Sequence, residues 1–453
     1  MGATPATLFA ISGVQFGLGP LTLGLGVLTL LVNLSIINSD IRYGLALFIL
    51  GAGMSPKLPG LYDNLRVEDL VFVLVFFKWA SSNRAGVGLG QVTTPIFLPF
   101  VVLTVMSIMS TIFGITIGVI PDLKYSFFLQ AKRVEYYFIF VIVATSVRDP
   151  FWLRILAITF VISGALAAGY GILNQESAYD QATAETRVSG PAGENYNTLS
   201  GYLVICVGAG LAIMAEIKGR IPKLTMMWAT SIAAAALLLS FSREGYIMLA
   251  GSLLVFGFSR HRIILVLAVA GLVVAGLLYS PVAENFSRTF DTVKDSQNAD
   301  PGANSLTARY RAWEYRLNGW FIKQPVFGNG VGAVALSVDN EYVLRLCEVG
   351  VVGFSVFIWF IGAIGTTLTR LQRLPGLTGG LALGLKAGFM GMVIQGMAAT
   401  AFTTIRTMEP FWFLLGLLYA SLAIDRSLRK AREPAPEPFV PVRALPALHG
   451  ANA

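Results

Sequence analysis

The feature that leaves this chain the fewest choices is its near-continuous succession of apolar runs. They fall at about 21–37, 41–54, 66–82, 94–119, 133–148, 151–172, 198–215, 223–241, 244–259, 262–280, 342–367, 380–403 and 410–425. A helix needs roughly 20 such residues to cross about 30 Å of hydrocarbon, and only helices and closed barrels satisfy every backbone group in lipid. The expected fold is therefore all-α, a polytopic transmembrane helical bundle of about 12–14 helices. Composition agrees: 13% of the 453 residues are charged and mean hydropathy is +0.69, against about 25% charged in a soluble domain. So few charges do not coat a water-facing surface.

Residues 5–18 are open between a crossing, a half-helix and an interfacial segment, because Gly17, Gly19 and Pro20 break the pattern. No basic region precedes the first apolar stretch, so no removable signal peptide is expected. The transmembrane domain is read as 1–425, with extracytoplasmic loops at about 173–197 and 281–341. The Pro-rich remainder, 426–453, reads as a disordered cytoplasmic tail.

The formal charge of +8 is spread over short loops rather than gathered in one stripe, which argues for topology and against nucleic acid. Lys218, Arg220 and Lys223, then Arg260 and Arg262, then Arg370 and Arg373, then Arg426, Arg429, Lys430 and Arg432 occupy alternate connections. By the positive-inside trend these are cytoplasmic, which leaves 173–197 and 281–341 on the opposite side, with room for polar chemistry. Cys206 and Cys347 sit in or beside apolar runs and read as packing residues. No His cluster or outward Asp-x-Asp pair implies a metal, and phosphate-loop and dinucleotide patterns are absent, so no cofactor is expected.

Four stretches of the outward segments carry a pattern: RVSGPAGENYNTLSGYL (187–203), LLLSFSREGYIMLAGSLLVF (237–256), SLTARYRAWEYRLNGWFIKQPVFGNGVG (305–332) and VDNEYVLRLCEVGVVG (338–353). In order, spacing and placement they resemble the O-antigen ligase and polysaccharide polymerase family, over about the second two-thirds of the chain. The resemblance implies a membrane glycosyltransferase of O-antigen or exopolysaccharide biosynthesis in the bacterial inner membrane. It implies a glycan donor on undecaprenyl diphosphate, a glycan or lipid acceptor, and a periplasmic active site. Asp339 stands where the better-known ligases carry a His before Asn340, and the only histidines, His261 and His449, are expected on the cytoplasmic side. That favours a repeat-unit polymerase over a ligase transferring to a lipid A core.

The implied reaction moves negative charge onto a diphosphate, which calls for fixed cations, and arginine presents a permanently charged planar fork to phosphate oxygens. Arg187 and Arg243 are the expected clamp, with Arg309 as a third contributor. For each, a solvated loop arginine or an ion pair, such as Arg243 with Glu244, is the plainer alternative. Asp339 is the expected base for the acceptor hydroxyl, or else a helix cap. Asn340 and Asn197 are sugar-binding candidates that are also acceptable caps. Lys132, Arg133 and Glu135 open a helix on the outer side, where Arg133 is placed against the lipid diphosphate or as an anchor. Trp313, Trp320 and Trp412 suit sugar stacking or the membrane interface. A transporter or flippase and a non-catalytic assembly subunit are the rival classes; the first would show inverted repeats, which are not apparent.

Overall fold

The computed structural model describes residues 9–11, 14–16, 35–55, 66–82, 94–175, 179–180, 185–191, 195–259, 305–334 and 339–432. The predicted run 262–280, most of 21–37, loop residues 281–304 and the tail beyond Arg432 lie outside them. In chain order the helices are α1 (Ile41–Met54), α2 (Val67–Ala80), α3 (Phe97–Thr116), α4 (Leu123–Ser146), α5 (Pro150–Leu173), α6 (Tyr196–Glu216), α7 (Arg220–Leu239) and α8 (Arg243–Ser259). After them come α9 (Ser305–Arg316), running into a π-helical turn at Leu317–Phe321, then α10 (Glu341–Leu371), α11 (Gly376–Gln395) and α12 (Ile405–Arg432). The strands among the described residues form two short antiparallel ribbons, Phe9–Ile11 with Val14–Phe16 and Tyr179–Asp180 with Glu185–Thr186. Within the predicted segment 5–18, the described residues Phe9–Ile11 and Val14–Phe16 are thus paired strands and not helix.

Among the described residues seven helices (α3, α5, α6, α7, α10, α11 and α12) are long and apolar enough to cross a membrane, and α1 and α8 are shorter apolar helices. The protein is a multi-pass helical membrane protein. Three helices depart from the hydropathy reading, α12 by running Ile405–Arg432 against a predicted 410–425. α4 begins at Leu123, ten residues before the apolar run, because Lys132, Arg133 and Glu135 lower its hydropathy yet lie inside the bundle. α11 stops at Gln395, and 396–404 form turns rather than more helix.

Packing follows from small residues. α11 carries Gly380, Gly384 and Gly388 on one face, and a Cβ at Gly384 would come within 2.8 Å of Ala209 Cα and 2.9 Å of Gly208 O on α6. Only a bare backbone allows that approach, the device by which membrane helices gain dispersion contact without a hydrophobic driving force. α12 lies against α4, with Phe413, Leu414, Leu417 and Trp412 fully buried.

α10 is not one helix. At Gly350 the backbone reaches φ 65°, the left-handed region, and the ladder breaks. The groups freed there are met by a loop. Val351 and Val352 donate to the carbonyls of Pro325 and Val326, at 2.8 and 3.3 Å. Asn329 and Gly330 donate to the carbonyls of Cys347 and Glu348, at 3.0 and 2.9 Å. Non-helical backbone beside lipid is tolerated where protein satisfies it, which is what this loop does. The Gly-rich turn and the Glu-x-Gly-x-x-Gly motif are therefore the two halves of one joint.

Candidate functional site

The basic residues Lys218, Arg220, Lys223, Arg370, Arg373, Arg426 and Arg429 fall at one set of helix ends, on α6, α7, α10 and α12. The site gathers at the other set. α8 starts there, and its first-turn Glu244, largely buried, takes Arg309 from α9 with Nη2 to Oε1 at 2.9 Å. Asp339, just before α10, lies 3.9 Å from Arg309 Nε and keeps about half its side chain exposed. Arg309 is thus held between two carboxylates, one buried and one open to solvent.

Asp339 is not the cap of α10. Asn340 is: its Oδ1 accepts from the Tyr342 and Val343 amides, both at 3.0 Å, while its Nδ2 donates to the Met397 carbonyl at 3.0 Å. Capping by Asn340 uses both ends of its amide and leaves Asp339 outside the helix with its carboxylate toward Arg309. Asn197 sits in the first turn of α6, which Asn195 caps, and its Oδ1 accepts from the Ser242 hydroxyl at 2.7 Å. That bond fixes the residue preceding Arg243, which opens α8 and whose side chain lies outside the described set. Arg187 stacks on Tyr196 at the start of α6, its guanidinium carbon 4.5 Å from the ring centroid, a cation–π contact. Arg187, Asn197, Arg309, Asp339 and Asn340 therefore share one end of the bundle, with the backbone of Arg243 among them.

Arg133 is elsewhere. It sits deeper, donates to the Ser107 hydroxyl and to Gln130 Oε1 at 3.4 Å, and lines a narrow cavity with Lys132, Arg345 and Glu348. That cavity holds about 40 Å³, room for a few waters and not for a sugar ring. No described carboxylate lies within 4 Å of Arg133. Lys132 differs: its ammonium binds Asp69, Glu135 at 3.0 Å and Glu409 at 3.0 Å, joining α2, α4 and α12. Among the described residues those three carboxylates come close enough together to hold a metal ion, and the Lys132 ammonium already bonds to all of them.

The sequence did not point to the network just below the rim. Arg345 pairs with Glu341 at 2.6 Å and Glu348 at 3.2 Å, and donates to Thr403 at 2.9 Å. Glu341 also accepts from the Phe402 amide at 3.1 Å, and Glu348 from the Gly332 amide at 2.8 Å. Their spacing of three and four along α10 was the available signal. Trp313 and Trp320 pack around Val334, Val343, Leu344 and Cys347, and Trp412 is buried among Phe100, Phe140 and Phe360. These indoles are packing groups. Both cysteines are free and buried.

A helical bundle with seven apolar spans among the described residues, whose motifs meet at one polar rim opposite its basic ends, defines a class: polytopic membrane proteins. Within that class, residues 228–358 match the O-antigen ligase family model, a segment that holds Arg243, Glu244, Arg309, Asp339 and the Gly350 joint. That match, over less than a third of the chain, supports a likeness to the O-antigen ligase and polymerase family. No curated protein matches the sequence.

Proposed function

We propose that the protein is a polymerase-type glycosyltransferase of the bacterial inner membrane, joining glycan repeat units from an undecaprenyl-diphosphate donor at the periplasmic face. The observation that carries this reading is the Glu244–Arg309–Asp339 cluster at the end of the bundle opposite its basic loops. The positive-inside trend assigns that end to the periplasm. ATP is absent there, so the reaction draws on a bond activated in advance.

In the proposed step the acceptor hydroxyl oxygen bonds to the anomeric carbon as the bond from that carbon to the diphosphate oxygen breaks. Asp339 takes the hydroxyl proton, and the lipid diphosphate leaves with the electron pair. Arg187, Arg243 and Arg309 neutralise the charge that gathers on it, an effect largest where water is excluded. Asn197 and Asn340 steady the rim through Ser242 and Met397. Arg133 meets any anionic group that penetrates to its cavity. Asp339 stands where the better-known ligases carry a histidine, which supports polymerisation over ligation.

The test uses intact cells. Arg187→Ala and Arg243→Ala are expected to abolish polymer while membrane protein level stays normal; retained product removes the clamp. Lipids from a deletion strain decide the reaction type. Accumulated single repeat units on the carrier identify a polymerase, and complete chains identify a ligase.

A further inference from the structure

The joint at Gly350 measures depth. Of the 31 residues of α10, 21 follow Gly350, and at about 1.5 Å per residue they span about 32 Å, close to the roughly 30 Å hydrocarbon core. The loop bonded to Val351 and Val352 therefore lies at the hydrocarbon boundary, and the part of α10 before the break, whose Glu341 amide bonds the Gly396 carbonyl just past the 20-residue α11, stays near that level. α3 gives the same level: its last turn reaches the loop at Gly114, whose Cβ would fall 2.0 Å from Asn329 O.

At that level Ile322, Val326 and Phe327 are exposed, each by half or more. They continue an apolar surface made of Val351 and Val352 on α10 and Ile112 and Ile115 on α3, the surface that faces lipid. Beside it, α9 turns one face inward, where Trp313, Leu317, Trp320 and Phe321 pack against the part of α10 before the break. The other face exposes Tyr310, Arg311, Glu314, Tyr315 and Asn318, followed by Lys323. Tyrosines beside cations above an apolar edge are what the headgroup layer selects.

We propose that residues 309–327 are a lipid-docking surface lying in the interfacial layer of the leaflet on the site side. Ile322, Val326 and Phe327 enter the acyl region, Tyr310 and Tyr315 sit among the headgroups, and Arg311 and Lys323 bind the phosphates of anionic phospholipid. The occupant is the bilayer because the exposed apolar residues run without interruption into the lipid-facing sides of α3 and α10, and because the exposed cations outnumber Glu314. The dock stands on geometry alone. Joined to the proposed reaction, it holds Arg309 at the height of lipid phosphates, so a lipid-borne diphosphate reaches it by diffusion in the membrane plane.

The experiment places nitroxide labels on Ile322→Cys, Phe327→Cys and, as a water-exposed reference, Lys218→Cys, in the full chain in phosphatidylethanolamine–phosphatidylglycerol vesicles. The native cysteines are buried. Labels at 322 and 327 are expected to collide with oxygen in preference to an aqueous nickel chelate, the reverse of Lys218→Cys. Equal access to the chelate overturns the proposal, and so does shielding from both quenchers, which would mean cover by the rest of the chain or by a second copy. The headgroup contact is read separately, by quenching of a fluorophore on Asn318→Cys with nitroxide-labelled phosphatidylglycerol. Arg311→Gln and Lys323→Gln are each expected to raise the half-quenching concentration about fivefold. No change in either overturns the phosphate contact.

Discussion

Arg309 has two carboxylate neighbours of different character, and that difference sets what each contributes. Glu244 is buried and bonded at 2.9 Å, so it fixes the guanidinium, whereas Asp339 at 3.9 Å is half exposed and open to solvent. Asp339→Asn is expected to lower product formation in membranes by about 10²-fold or more, the usual scale for a lost general base, with protein level unchanged; full activity would restrict Asp339 to holding Arg309. Asn340→Ala removes the acceptor of two helix-end amides and the donor to Met397. A loss of about 1–2 kcal/mol is expected, visible as a lower melting temperature in detergent. The sequence marked Asp339 and Asn340 together but did not divide the labour between them. Both residue types cap helices, and the choice rests on which side chain the Met397 carbonyl meets from a turn 57 residues away.

At the scale of elements, hydropathy located most helices to within a few residues and failed where charge is buried. α4 carries Lys132 into a nest of three carboxylates, two of them from other helices, and no window average registers that neutralisation. Lys132→Met is expected to destabilise the bundle by about 3–5 kcal/mol, because it leaves uncompensated buried charge; thermal unfolding in detergent reads it. The joint at Gly350 was legible as a motif and illegible as a shape. Its glycines are explained by contact: a Cβ at Gly350 would lie 2.3 Å from Val326 O, and one at Gly328 would lie 2.4 Å from the Glu348 carbonyl. Gly350→Ala also meets a positive φ, a strain of about 1–3 kcal/mol before any clash. It is expected to sharpen protease cleavage in 322–332, and an unchanged digest would show that the joint yields cheaply.

At the scale of the molecule, the proposed orientation rests on the basic loops alone, and labelling tests it. Glu314→Cys is expected to react with an impermeant maleimide from outside the inner membrane, and Lys218→Cys only after that membrane is opened. The convergence of Arg187, Asn197, Arg309 and Asp339 was an inference from order along the chain; their common level is a property of the packed helices, which one dimension does not contain. The interruption in α10 has a mechanical consequence. Adding one residue below it would turn the lower rod by about 100°, yet the upper piece takes its register from the loop that braces it, through Asn329, Gly330 and Gly332. The polar rim is thereby uncoupled from changes in the length of the span beneath it, as a hinge pin lets a door keep its line when the post below is replaced.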